Sequence, residues 1–87
     1  MTQVRIASPL RAYTSGAAVV VGKGGTLEEV LADLDARFPG IRFRIIDEQD
    51  RVRPHIRLFI NTREAGQLTL PVQEHDEVHL VCALSGG

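Results

Sequence analysis

The chain has 87 residues, 44% of them hydrophobic and 24% charged, which suits one compact domain and is too apolar for a disordered chain. A domain of this size buries only about 60–65% of the surface of its unfolded chain, so it has little room for a deep cofactor cavity. Multi-substrate enzymes are therefore disfavoured. The formal net charge is −1, from ten basic and eleven acidic residues. Bulk charge thus predicts neither nucleic-acid binding nor attachment to an anionic membrane.

Cysteine and histidine usage restricts the chemistry further. Cys82 is the single cysteine, which excludes an intramolecular disulfide and a multi-cysteine zinc site and favours a reducing compartment. The histidines at 55, 75 and 79 have no recognisable metal-ligand spacing. No stretch reaches the roughly 18 apolar residues of a membrane span, and residues 1–10 do not read as an export signal. We expect a cytoplasmic protein with no metal and no membrane or nucleic-acid partner.

The first half of the chain predicts a hairpin followed by a helix. Alternation at residues 4–8 predicts a strand ending at Pro9, and the β-branched run at 17–21 predicts a second strand. Residues 26–29 form a capping box, in which the threonine hydroxyl accepts a backbone N–H and the glutamate returns to the N–H of the cap residue. Apolar residues then recur at spacings of three and four until Pro39-Gly40 end the helix.

The second half predicts mainly strands. Residues 41–46 alternate apolar side chains with two arginines, which predicts a short strand or an extended connection before a polar loop at 47–50. Residues 55–61 predict a core strand, since their isoleucines and leucine share one face. Cys82 is predicted to belong to the core, because alternation places it with Val78 and Leu80.

The end of the chain completes the predicted sheet. A turn at 62–66 leads to Leu68 and Leu70, which predict a short edge strand whose pairing Pro71 limits. The final strand is predicted at 77–84. The order strand, strand, helix, strand, short strand, strand predicts an α+β roll, in which one main helix packs across a mixed sheet of four to five strands.

Two glycines follow the final strand without a loop. Terminal glycines alone are weak indicators, because chain ends fray and tolerate glycine. Here an arm from Ala83 to Gly87 would extend roughly 15 Å, at about 3.3 Å per residue. Glycine suits a carboxylate that reacts inside a narrow channel, because no Cβ stands beside its carbonyl carbon. Gly86 and Gly87 would therefore suit a terminal carboxylate that has to enter such a channel.

With these features the sequence resembles the ubiquitin-like sulfur carriers, which include the small subunit of molybdopterin synthase, the thiamine sulfur carrier and the carrier of a cysteine-synthesis route. The resemblance runs along nearly the whole chain and is most specific at 76–87, which look like the family's acidic turn, apolar strand and closing Gly-Gly. Supporting pieces lie at Thr26, 38–40, 53–55 and 58–61. The resemblance implies a ubiquitin-like β-grasp domain over residues 1–87 with a flexible tail at about 84–87.

The resemblance also implies a carrier that is not itself an enzyme and binds no cofactor. In this family, an enzyme resembling the ubiquitin-activating enzymes uses ATP and magnesium to adenylate the C-terminal carboxylate, here that of Gly87. Sulfur then replaces AMP, and the thiocarboxylate delivers it to an acceptor. The implied partners are the activating enzyme, a sulfur-accepting synthase or large catalytic subunit, and a sulfurtransferase.

A docking surface for these partners is predicted on the outward side of the sheet, at Phe59, His79 and Val81. The tail residues Ala83, Leu84 and Ser85 are expected to contact the partner as well. The alternative is that these are ordinary exposed apolar residues without a binding role. The arginines between 42 and 57 are interrupted by acidic residues, which favours a solvated face over nucleic-acid binding, with an acidic partner surface as the other option.

Two functions from other classes stay open at this point. The chain could be a protein modifier that forms isopeptide bonds with lysines through Gly87, or an interaction module in which Gly-Gly is incidental. Within the carriers, the chain is longer than is usual for the thiamine type, which favours the molybdopterin or cysteine-synthesis branch. The first would form a stable complex with a large subunit, and the second a covalent adduct on Gly87 that a peptidase releases.

Overall fold

The computed structural model describes residues 1–82, which form a five-stranded mixed sheet with a helix across one face. The strands are β1 (Thr2–Arg5), β2 (Val19–Gly22), β3 (Ile56–Ile60), β4 (Arg63–Glu64) and β5 (Glu77–Cys82). The helices are α1 (Leu27–Arg37) and the shorter α2 (Ile41–Ile45), and a 3₁₀ turn covers Ser8–Leu10. Within residues 1–82 no helix is long and apolar enough to cross a membrane. The predicted α+β roll with one main helix is confirmed.

The last strand occupies the centre of the sheet. The strand order is β2-β1-β5-β3-β4, with β5 parallel to β1 and antiparallel to β3. Side chains that alternate toward α1 form the core with the apolar stripe of that helix. Members with no exposed surface include Val4, Leu27, Val30, Leu31, Leu34, Leu58 and Val78. The first half of β5 is paired on both sides, as far as His79, and its last residues are paired with β3 up to Cys82.

The start of α1 agrees with the predicted capping box, with one difference. The Thr26 hydroxyl accepts a hydrogen bond from the Glu29 backbone N–H at 3.2 Å, as expected. The Glu29 carboxylate, however, accepts from the N–H of Gly25 at 2.7 Å, one residue before the cap. The box therefore also anchors the loop that connects β2 to the helix.

The predicted edge strand at Leu68 and Leu70 is wrong. The carbonyls of these two residues instead accept hydrogen bonds from the first free N–H groups of α1, those of Glu28 at 2.9 Å and Leu27 at 3.0 Å. The first N–H groups of a helix have no partner within the helix. A loop whose carbonyls accept from them therefore has its own backbone acceptors paired without joining the sheet. The edge strand that does form is β4, inside the predicted turn, where Glu64 pairs with Phe59.

The prediction of a strand or extended connection at 41–46 is also wrong, because α2 occupies most of it. Ile41 and Ile45 lie four residues apart and are both fully buried, which a helical turn allows. Gly40 begins the turn with φ of +96°, in the left-handed region that glycine tolerates. The Asp35 carboxylate accepts from the N–H groups of Gly40 and Arg42, each at 3.1 Å. Alternation of isoleucine and arginine therefore did not identify a strand here.

Asp76 joins the turn before β5 to the end of β3. Its carboxylate accepts hydrogen bonds from the Gln73 backbone N–H and from the Asn61 side-chain amide, both at 2.9 Å. The Asn61 carbonyl oxygen in turn accepts from the Glu77 N–H at 3.0 Å. The bond from Gln73, followed by that from Asn61, lowers the pKa of Asp76 below its ordinary value.

This lowered pKa predicts a loss of stability in acid. Because the pKa of Asp76 is lower in the folded state than in the unfolded chain, its contribution is complete above about pH 3.9 and is lost as pH falls through the folded-state value. We expect Asp76→Asn to show a smaller decrease in the free energy of unfolding than the wild type between about pH 5 and pH 2. Urea unfolding at a series of pH values measures this. Glu74→Gln, in the same turn with a side chain 92% exposed, is the control. Identical profiles for wild type and Asp76→Asn would contradict the assignment.

Candidate functional site

The described part of the chain ends at one end of the sheet, which we call the tail exit because the tail follows there in the sequence. Cys82 is the last described residue of β5 and is paired with Ile56, the first residue of β3. The predicted tail residues Ala83, Leu84, Ser85, Gly86 and Gly87 lie outside the described residues. The candidate site within the described part of the chain is therefore the surface around this exit.

The three residues predicted for docking lie together on the outward face of the sheet. Phe59 of β3 stands directly opposite His79 of β5, and Val81 follows two residues later on the same face. Val81 is 41% exposed, whereas His79 and Phe59 are half-buried. Phe59, His79 and Val81, which we call the outward patch, thus form a continuous surface that leads to the tail exit.

Charged residues surround the outward patch, and none of them was predicted as part of it. Arg5 of β1 lies opposite His79, and its Nε atom is 3.2 Å from the Glu77 carboxylate. The same carboxylate is 3.4 Å from His79 Nε2. Arg57 lies directly opposite Val81. Alternation alone places Arg5 and Arg57 on the outward side of their strands, but only the strand order brings them to this patch.

The surface has the composition of a binding site rather than of a catalytic one. Apolar side chains next to charged groups are typical of protein interfaces, in which an apolar centre is bordered by a polar rim. Across residues 1–82, no group of three histidine, cysteine or carboxylate side chains is placed to hold a metal ion. The arrangement can position a partner beside the tail exit.

Cys82 has the structural role that its position in the strand predicts. It is half-buried and packs against the core. Burial raises the pKa of its thiol, while the charge of Arg44 acts in the opposite direction. The thiolate is the nucleophilic form of cysteine, so a raised pKa lowers the fraction of Cys82 in that form.

Known proteins similar to this chain share its length as well as its fold. The profile of the ThiS family matches residues 4–87. Sulfur carrier protein CysO of Mycobacterium tuberculosis is 32% identical over 89 residues, which cover 97% of this chain and 96% of that protein. A solved BexX/CysO complex from Amycolatopsis orientalis contains a chain that superposes with a TM-score of 0.92 at 29% identity, with both chains covered completely. The crystal structure of CysO from M. tuberculosis gives a TM-score of 0.90 at 27% identity, covering 97% of this chain and all of that one.

Proposed function

Because this chain belongs to the ThiS family of ubiquitin-like β-grasp proteins, we propose that it is a sulfur carrier that holds activated sulfur on the carboxylate of Gly87. The similarity to sulfur carrier protein CysO over 97% of the chain is the observation that carries this proposal. The position of β5 supports it, because the strand that precedes the Gly86-Gly87 tail is paired with β3 up to Cys82, the last described residue. The protein is a carrier and not a catalyst.

The proposed chemistry needs an activating enzyme, because a free carboxylate is a poor electrophile. In that enzyme, with its ATP and Mg²⁺, a carboxylate oxygen of Gly87 attacks the α-phosphorus of ATP and pyrophosphate leaves. Hydrosulfide then attacks the carbonyl carbon of the acyl adenylate, AMP leaves with the original oxygen, and the S–H proton is lost to solvent. The thiocarboxylate that results has one sulfur in place of one oxygen.

Delivery of the sulfur requires a second partner, a sulfur-accepting synthase. We propose that both partners dock on the outward patch, at Phe59, His79 and Val81, and bind the tail at Ala83, Leu84 and Ser85. The exposed valine and the half-buried aromatic ring support this, as does their direct continuation into the tail exit. A sulfurtransferase that supplies the activating enzyme is a third proposed partner.

The acceptor is proposed to belong to a cysteine-synthesis route. Similarity to the CysO proteins favours that branch over the molybdopterin branch, which the sequence analysis left open. A carrier of this type forms a covalent adduct on Gly87 after sulfur transfer, and a peptidase then releases the product. A molybdopterin-type subunit would instead remain in a stable complex and return directly to the carboxylate.

Intact mass spectrometry of the protein from its native host, with fragmentation of the C-terminal peptide, tests the proposal. We expect a mass gain that corresponds to replacement of one oxygen by sulfur, located on Gly87. A variant without Gly86 and Gly87 is the control and should show no gain. An unmodified C-terminus, also after incubation with purified activating enzyme, ATP and a sulfur donor, would overturn the proposal. Isopeptide-linked conjugates without any thiocarboxylate would favour the protein-modifier alternative.

A further inference from the structure

Helix α2 has an exposed aromatic ring that a neighbouring arginine holds in place. Phe43 is 55% exposed, more than any other phenylalanine described. The Arg53 guanidinium lies over its ring, 4.5 Å from the centroid, and Arg53 Nε donates to the Phe43 carbonyl at 2.7 Å. A side chain held in this way loses little rotamer freedom when a partner covers it. Phe43 is therefore better prepared for binding than an exposed residue without such contacts.

Hydrogen bonds connect the segment that carries the ring to the strand pair that ends at the tail exit. The Arg53 N–H donates to the Ile45 carbonyl at 3.0 Å, and the Arg53 carbonyl accepts from the Ile56 N–H at 2.9 Å. These bonds connect α2 to the first residue of β3, which is paired with Cys82. Arg44, the neighbour of Phe43, is close enough to Cys82 for its charge to act on the thiol. The surface of α2 thus borders the end of β5 from which the tail continues.

The ring has arginines beside it and acidic residues in the loop that follows α2. Arg44 is exposed, Arg53 is half-buried against the ring that it contacts, and the loop carries the exposed Glu48 and Asp50. The nearby Asp47 is directed to its own turn, where its carboxylate accepts from the N–H groups of Gln49 at 2.9 Å and Arg51 at 3.0 Å. An acidic surface with an apolar depression would complement this combination of ring and cations.

We propose that Phe43, Arg44 and Arg53, here named the α2 surface, form a second docking site for the sulfur-accepting enzyme, which contacts them with an acidic, partly apolar region at the mouth of its tail channel. This inference rests on the proposed sulfur-carrier function. The outward patch and the α2 surface both border the tail exit, so a partner that contacts both holds the tail in one direction. Aromatic and arginine side chains are the residues most enriched among those that dominate binding energy.

Calorimetric titration of the full chain with BexX, the protein in complex with CysO in the Amycolatopsis orientalis structure, tests the α2 surface. We expect Phe43→Ala to weaken binding about tenfold or more, as truncation of a central aromatic contact does. Arg44→Glu should also weaken binding, and its effect should shrink at high salt because exposed charge pairs are screened. Thermal unfolding of each variant checks that the fold is retained.

Two matched controls lie away from the tail exit. Val21→Ala removes an apolar side chain that is 39% exposed on the edge strand β2, and Arg63→Glu reverses an exposed charge opposite Ile60, at the far end of β3. Both should bind as the wild type does. Equal affinity of wild type and Phe43→Ala would overturn the α2 surface while leaving the carrier function untouched. Absence of binding by the wild type would overturn the inference, whereas mass analysis of Gly87 tests the carrier function separately.

Discussion

Gly87→Ala is expected to leave the fold intact and to reduce thiocarboxylate formation by about 100-fold, the typical effect of displacing a reacting group by about 1 Å. Alanine places a Cβ next to the carboxylate whose oxygen must attack ATP and whose carbon the sulfur must then reach, and it restricts the backbone angles of the tail. The expected rate loss concerns activation, since residue 87 follows the described fold. Mass spectrometry after timed incubation with activating enzyme, ATP and a sulfur donor measures it.

A second glycine variant separates the chemical effect from a general effect of losing glycine. At Gly66 an added Cβ would meet nothing within 4 Å, so Gly66→Ala should be modified at the wild-type rate. One residue appended after Gly87 should abolish modification, because it moves the carboxylate away from the reacting position. Modification of Gly87→Ala at the wild-type rate would show that clearance at the carbonyl does not limit activation.

Gly24→Ala is expected to reduce the free energy of unfolding by about 3 kcal/mol, from overpacking and backbone strain of about 1–3 kcal/mol each. A Cβ at Gly24 would lie 2.6 Å from the Glu29 Cβ and 2.8 Å from the Val30 backbone nitrogen, both in the first turns of α1. The backbone there cannot yield without disturbing the cap, and φ at Gly24 is +154°. Small domains have total stabilities of about 5–15 kcal/mol, so this loss is large.

The neighbouring Gly25 is the matched control for this variant. A Cβ at Gly25 has Glu29 Oε1 as its nearest neighbour, at 3.6 Å, which is ordinary contact with a flexible side chain. Gly25→Ala also keeps the N–H that donates to Glu29. Its free energy of unfolding should stay within about 1 kcal/mol of the wild type. Urea unfolding at neutral pH compares the two, and equal stability of both variants would contradict the close approach at Gly24.

Structural features that depend only on residues close in sequence could be predicted from the sequence. The capping box at 26–29 and the stripe of α1 involve residues at most four positions apart, so the pattern contains the whole interaction. The Glu29 carboxylate nevertheless accepts from Gly25, one residue before the cap, and the pattern did not predict this donor. The first strand, predicted at 4–8, lies at Thr2–Arg5 in the structure.

The α2 segment shows why pattern alone was insufficient. Ile41 and Ile45 suit both an alternating strand and one face of a helical turn. The helix was selected by Asp35, which accepts from the N–H groups at its start, and by burial of both isoleucines under α1 and the sheet. These contacts form only after the chain reverses at Gly40, so short-range alternation does not contain them.

The sequence by itself determined the class of the fold, the main helix and its cap, and the outward positions of Phe59, His79 and Val81, because periodicity and capping act over a few residues. The tertiary structure decided which strands are neighbours. Pairing of β1 with β5 brings Arg5 to Glu77 across 72 residues of sequence, and α2 brings Phe43 to the tail exit. No local pattern records such contacts, because the hydrophobic core that imposes them forms from the whole chain at once.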